Sequence, residues 1–357
     1  MSFSIENYLK TGLTRLVKDA LKVSLKNPKQ SAFFLNFNKE IKKADKIREK
    51  HEKNGLHVPS FLISSITNNC NLNCAGCYAM ANHECKEHEE LAISDWNRIF
   101  SEAEEIGISV ILLAGGEPLM RKDILDLAAK HRNVMFPVFT NGLLLNSLAL
   151  DFFRQNRNLI PIVSIEGNEE KTNLRRGEGV YSRILEVTNN LHIADLLYGM
   201  SVTVTAKNLY EVTDISFING LRENGCKALI YVEYVPVTAS DLALDEDKRA
   251  ILISRTEQYR KNLDDIILIL FPGDEAESNG CLAAGRGFFH INASGGAEPC
   301  PFSPYSDVNL KDVSLIEALK SPLFTRLREE GLLEKKHTGG CVLFEQKEDV
   351  EKLLESI

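Results

Sequence analysis

At 357 residues, 44% of them hydrophobic and 26% charged, the chain is long enough to bury an enzyme-sized core, which excludes a disordered or fibrous protein. Its formal net charge of −8 excludes a general nucleic-acid binder, which would carry a basic excess. The charge is uneven: residues 1–58 hold 13 Lys or Arg against 6 Asp or Glu, a balance of +7, so the remainder carries −15.

Residues 5–26 place Leu9, Leu13, Leu16, Val17, Ala20 and Leu21 at helical spacing with basic residues between them. Lys10, Arg15, Lys18, Lys22 and Lys26 rule this segment out as a secretory signal, and no apolar run in the chain is long enough for a membrane span. The expected location is cytoplasmic, and the eight cysteines are expected as reduced thiols or metal ligands. Asn27 and Pro28 predict the end of this first helix; a second is predicted over 38–53, closed by Gly55. The basic helix has two readings. It packs across the body of the fold with its lysines solvated, or it lies peripherally on an anionic membrane with "FFLNF" at 33–37 as apolar anchors.

From 60 to about 270, strand and helix alternate. "SFLISSIT", "ISVILLAGG", "VMFPVFTNG", "LIPIVSIEG", "YGMSVTVTAKN" and "KALIYVEYVPV" read as six strands. Helical stretches separate them, the first with Ser94 as its expected N-cap. Strands this uniformly apolar argue for a parallel sheet covered on both faces, as a doubly wound sheet or as a partial α/β barrel. In both folds ligands gather at the C-terminal strand ends. There the sequence places Cys70, Cys74 and Cys77, then "GGEP" at 115–118, "TNG" at 140–142 and "SIEG" at 164–167. From about 272 the pattern breaks into a Gly-, Pro- and Ser-rich module with Cys281, Cys300 and Cys341, too poor in core residues to stand without a staple.

The C-x3-C-x2-C spacing of "CNLNCAGC" has three readings of its own. Zinc wants four closed ligands, with His83 or Cys85 available as the fourth. A [4Fe–4S] cluster normally takes four cysteines, and three would leave one iron open to a small molecule. Three free thiols are the last. Taken alone, Gly115 and Gly116 would be an ordinary turn and Ser164 a satisfied buried hydroxyl; their joint placement gives them weight. Cys226 precedes the sixth strand and is expected in the core, and Cys85 is expected to be inert.

"CNLNCAGC" resembles the signature of the radical S-adenosylmethionine (SAM) superfamily, in which three cysteines hold a [4Fe–4S] cluster and SAM chelates the fourth iron. "GGEP", including Glu117 and Pro118, matches that family's SAM amino-group segment. "TNG" supplies Thr140 and Asn141. "SIEG" resembles the strand end that binds ribose and methionine, giving Ser164 and Glu166. "RRGEGVYSRILEVTNNL" resembles the following Arg-bearing helix entry, with Arg176 for the SAM carboxylate and Arg175 as the alternative. The resemblance covers about 60–240 and implies a partial (β/α)6 TIM-like barrel over 59–270. A helical extension would precede it over 1–58, and a small auxiliary domain would follow over 271–357. One departure is that Gly76 stands where many members carry an aromatic residue near the adenine; Tyr78 follows instead.

Cys281, Gly295 and Cys300 resemble the opening half of the SPASM auxiliary-cluster motif, whose dense second half is absent. The implied arrangement is a "twitch"-like module with one auxiliary [4Fe–4S] cluster on Cys281, Cys300 and Cys341, and His290, Asp307 or His337 as candidates for its fourth ligand. Zinc or free thiols are the alternatives here too. The resemblance implies reductive SAM cleavage to a 5′-deoxyadenosyl radical and a flavodoxin- or ferredoxin-type reductant. Its substrate would be a peptide or protein undergoing maturation, or next to that a cofactor precursor or lipid. A reading of another class is a non-catalytic iron–sulfur carrier or zinc-stapled scaffold.

Overall fold

The computed structural model describes residues 5–81, 89–271, 278–335 and 340–357. Seven strands run parallel: β1 (Phe61–Ser65), β2 (Val110–Ala114), β3 (Phe136–Thr140), β4 (Leu159–Ile165), β5 (Gly199–Val204), β6 (Ala228–Glu233) and β7 (Ile267–Phe271). Their order across the sheet is their order in the chain. A doubly wound sheet reverses its order at a switch point. The absence of a reversal among these seven strands, with helical crossovers between them, makes the sheet an open half-barrel. β7 is the run 266–271, which has the length of a strand but falls outside the six-strand pattern.

The alternation of side chains divides the core in two. Leu62, Ile111, Leu113, Phe136, Val138, Val163 and Met200 point outward and are buried beneath the crossover helices. Val110, Met135, Ile160, Ile162 and Ile230 point inward and form a second cluster at the N-terminal mouth of the barrel. Two helices close that mouth, α1 (Ile5–Val23) and α2 (Pro28–Lys53). Leu13, Val17 and Ala20 of α1 and Phe34, Phe37 and Ile41 of α2 complete the inward cluster. The basic helix therefore packs across the barrel with its apolar face inward. Phe34 and Phe37 of the "FFLNF" segment are core residues.

Two helix boundaries differ from expectation. α2 begins at Pro28, ten residues earlier than its periodicity suggests. Proline lacks the N–H that a helix start leaves unpaired, so the same residue that bars α1 from continuing opens α2. Asn27 caps it: Oδ1 accepts from Gln30 N at 2.9 Å, while Nδ2 donates to Asp195 O at 2.6 Å and fixes the hairpin to the barrel. The helix Ile93–Ile106 is capped from Ala92, not Ser94. The Asp95 carboxylate accepts from Ala92 N at 3.0 Å, which moves the start two residues upstream.

Beyond residue 277, β8 (His290–Ile291) pairs in parallel with the free edge of β1, and β9 (Ala297–Glu298) folds back antiparallel on β8. This covers an edge that would otherwise template aggregation. Its core is continuous with the outer cluster through Phe288, Phe289 and Phe324. Cys226 is fully buried, and burial pushes its thiol up to about 12, as expected of a core cysteine.

Candidate active site

The cysteine loop leaves β1 and is held from below by the turn after β2. Gly116 N donates to Thr67 O at 2.7 Å and Glu117 N to Asn69 O at 2.8 Å. The two backbones are so close that a Cβ on Gly116 would lie 2.1 Å from Asn69 O, and one on Gly115 (φ +123°) 2.3 Å from Thr67 O. Glycine is required at both positions for close approach. Gly116→Ala is expected to cost about 3 kcal/mol by overpacking against backbone, lowering Tm by about 5 °C and iron content with it. A melt and an iron assay on the purified variant check this. Glu90 secures the loop from the other side, accepting from Thr67 Oγ1 and Asn68 N at 2.8 Å, and Arg121 holds Glu90 at 2.9 Å.

Cys70, Cys74 and Cys77 are half-buried and line one cavity with the strand ends. Burial pushes the Cys70 and Cys74 thiols above their ordinary range; the Arg176 guanidinium opposes this at Cys74. Among the described residues, no three His, Cys, Asp or Glu side chains gather as tightly as one metal ion demands. A [4Fe–4S] cluster places each thiolate on a different iron. Three thiols converging on one cavity fit the cluster.

The strand ends are wired to one another. Glu117 is fully buried behind the cavity and does not line it. Its carboxylate accepts from Thr140 Oγ1 at 2.7 Å, Asn141 N at 2.8 Å and Leu119 N at 3.1 Å, so it clamps the β2 turn to the end of β3. Burial raises this carboxylate above its usual range, and those donors oppose the shift. Asn141 Nδ2 donates to Asn71 Oδ1 at 2.7 Å and lies 3.9 Å from Cys70 Sγ. Ser164 Oγ sits 3.0 Å from Ser201 Oγ on the cavity wall.

Glu166, 2% exposed, holds both candidate arginines at the end of the helix Glu169–Arg176. Arg176 donates from Nε at 2.9 Å and Nη2 at 2.6 Å to Oε1, and Arg175 Nη1 lies 2.9 Å from Oε2. The second pair is misaligned for a hydrogen bond, leaving Oε2 buried without a donor. Burial acts to lower the Arg176 guanidinium, and Glu166 with Cys74 outweighs it. Arg175 also ties down the cysteine loop: its Nε donates to Ala75 O at 3.1 Å, and its carbonyl accepts from Ala75 N at 2.8 Å.

Of the residues singled out by sequence, Tyr78, Gly115, Gly116, Thr140, Asn141, Ser164, Arg175 and Arg176 meet the three thiols on this cavity. Glu117, Pro118 and Glu166 stand behind it as positioning residues. Tyr234, at the end of β6, carried no motif. Its ring packs against the space Gly76 leaves open, where a Cβ would lie 3.1 Å from Tyr234 Cε2. The only sequence signal was an aromatic residue one position beyond a strand end. The Tyr78 ring packs edge-on against Phe302 at 5.1 Å, joining the loop to the C-terminal module.

In that module Cys281, Cys300 and Cys341 are all buried. Burial, a hydrogen bond with Cys341 and the proximity of Cys281 push the Cys300 thiol well above its ordinary range, so the three thiols share one neighbourhood. His290 does not fit as a fourth ligand: its Nε2 lies 2.7 Å from Ser65 Oγ and its Nδ1 2.6 Å from Glu298 Oε2, so both ring nitrogens are engaged. Asp307 accepts from Leu323 N at 2.9 Å and keeps a buried Oδ1 with no partner among the described residues. His83, Cys85 and His337 lie outside the described residues.

Residues 64–215 match the family model of the radical SAM superfamily. The AdoMet-dependent heme synthase of Methanosarcina barkeri is 26% identical over 323 residues, which cover 82% of this chain and 90% of that protein. The mycofactocin maturase MftC of Mycobacterium ulcerans is 27% identical over 304 residues, 78% and 79% of the respective chains. Among solved structures, Streptococcus suis SuiB bound to precursor peptide SuiA matches with a TM-score of 0.66 at 18% identity, covering 80% of this chain and 71% of that one. The enzyme anSMEcpe with bound AdoMet and Cp18Cys peptide matches at 0.60 and 15%, covering 83% and 95%.

Proposed function

We propose that the chain, whose residues 64–215 match the radical SAM model, is a radical SAM enzyme that matures a peptide or protein by hydrogen abstraction. The observation that carries the reading is the convergence of Cys70, Cys74 and Cys77 with four successive strand ends on one cavity. Cys70, Cys74 and Cys77 would hold a [4Fe–4S] cluster, which would supply the electron for reductive cleavage of SAM to methionine and a 5′-deoxyadenosyl radical.

The chain's own residues divide the remaining work. Arg176, anchored on Glu166 and facing Cys74, offers a cation to the SAM carboxylate, with Arg175 beside it. Ser164 offers a hydroxyl for ribose. Tyr234 and Tyr78 bound the space next to Gly76, which suits an adenine face. Cys281, Cys300 and Cys341 hold the auxiliary cluster. The likeness to the mycofactocin maturase and the peptide-bound structural neighbours support the substrate class, and a flavodoxin- or ferredoxin-type protein is the expected electron donor. Among the described residues, no helix is long and apolar enough to cross a membrane; the inward apolar face of α1 supports packing over membrane contact.

The test is anaerobic. Reconstituted, dithionite-reduced protein is expected to convert SAM to 5′-deoxyadenosine, and Cys74→Ala to lose this. Equal and negligible product from both proteins would leave an iron–sulfur carrier as the better reading.

A further inference from the structure

The cavity is far larger than one small cofactor needs. It measures about 1290 Å³ and runs from the three thiols down the barrel interior to α1. Its two halves differ in chemistry. Around the thiols the walls are polar, with Thr140, Asn141, Ser164, Ser201 and Thr203. Nearer α1, the strands present Phe61, Val110, Leu112, Met135, Pro137 and Ile267, and α1 closes the floor with Leu13 and Leu16. The strand pairing places these in adjoining rows: Phe61 is in register with Val110, and Ala228 with Ile267. Small barrels usually fill such rows with their own side chains. Here Val110, Met135 and Ile230 pack against α1 and α2 and also line the cavity that remains between the strands.

A polypeptide would be a poor occupant of that lower half. Every residue would bring an N–H and a C=O into walls that are mostly apolar, with few partners such as Ser60 and Thr11, and buried unpaired backbone groups are strongly disfavoured. An apolar body needs no such partners. Where α1 meets β7, the lining turns charged. Arg15, Lys22, Arg260 and Lys261 face Asp19 and Asp264, a surplus of two positive charges. Lys22 is paired with Asp264 at 2.7 Å, whereas Arg15 and Lys261 form no ion pair among the described residues. In a chain of net charge −8, this rim is locally basic.

We propose that the lower half of the cavity is a separate binding site for an apolar small molecule bearing acid groups. Its hydrocarbon or aromatic body would lie against the inward strand residues, and its acid groups at Arg15 and Lys261. The site shares a cavity with the SAM chemistry proposed above and goes beyond that reading: the peptide would meet the polar half at the thiols, and the apolar acid would be a second ligand at the far end. Binding there does not require SAM cleavage, so the two readings fail separately.

The experiment uses the full-length, cluster-loaded protein without SAM. Fluorescence of 8-anilinonaphthalene-1-sulfonate reports occupancy, with displacement by hexadecanoate, by 1-hexadecanol and by an apolar decapeptide. The expected result is saturable binding displaced by hexadecanoate at least tenfold better than by the alcohol, and not by the peptide. Leu112→Trp and Ile267→Trp, which fill the lower half, should weaken both the probe and hexadecanoate at least tenfold. The surface pair Arg15→Glu with Lys261→Glu, which does not touch the core, should remove the preference for the acid while leaving the alcohol unchanged. Unaltered binding in the tryptophan variants, or displacement by the peptide as well as by the acid, overturns the proposal. Loss of all binding in a folded charge variant, alcohol included, would also overturn it, by placing the probe on the surface. Should the tryptophan variants fail to fold, the charge pair decides.

Discussion

Replacing Cys70, Cys74 and Cys77 together with alanine is expected to abolish 5′-deoxyadenosine formation, by at least about a thousandfold, yet to leave about four iron atoms per chain where the wild type holds about eight. The loss follows from chemistry: with no thiolate at the loop there is no site for a cluster, and SAM has no iron to chelate. The retained iron follows from placement. Cys300 and Cys341 are hydrogen-bonded in the buried C-terminal module, near Cys281, and belong to elements other than the cysteine loop. Anaerobic purification with iron and labile-sulfide analysis reads both numbers at once. Iron near zero would make the C-terminal thiols ordinary core and leave the module as a cover for the barrel. Full iron with full activity would remove the loop from the chemistry altogether.

Glu166→Ala has the second-largest expected effect, because one carboxylate restrains two guanidinium groups. Without it the largely buried Arg175 and Arg176 lose the carboxylate they share, and breaking a buried pair from one side costs about 3–5 kcal/mol. Arg175 also fastens Ala75 of the cysteine loop, so the disturbance reaches the thiols. The expected outcome is a matching loss of stability in chemical denaturation and a SAM affinity weakened by about a hundredfold on cluster-loaded protein. Glu166→Gln, which keeps one acceptor oxygen, should fall between. A variant that loses stability but binds SAM normally would confine Glu166 and its arginines to a structural part.

The placement of the site was legible because parallel strands put all their C-terminal ends on one rim. Once the apolar runs were assigned, "GGEP", "TNG" and "SIEG" had to meet the cysteines, and apart from Glu117, Pro118 and Glu166 their polar residues do. The direction in which a side chain points was not legible. Glu117 and Glu166 are polar residues at strand ends, yet each turns away from the cavity, because partners from other elements (Thr140 and Asn141, Arg175 and Arg176) hold them there. Tyr234 was invisible for the same reason, since only the fold brings it to Gly76. His290 looked like a free ligand in sequence because Ser65, which engages its ring, belongs to the first strand. Pro28 misled for a local reason: a residue that forbids helix interiors both ends one helix and begins the next.

The pairing of β8 with β1 sets a schedule for biosynthesis. Ser65 and His290 are 225 residues apart, so at about 5–20 residues per second the ribosome presents the first strand tens of seconds before the strand that covers its edge. Throughout that interval the nascent chain offers an unpaired strand edge directly upstream of three exposed thiols. A stretch made 225 residues later therefore covers the edge of the strand that leads into the cysteine loop. A message truncated before residue 290 would yield a chain with its cysteine segment made but its sheet unfinished, a natural substrate for chaperones and proteases.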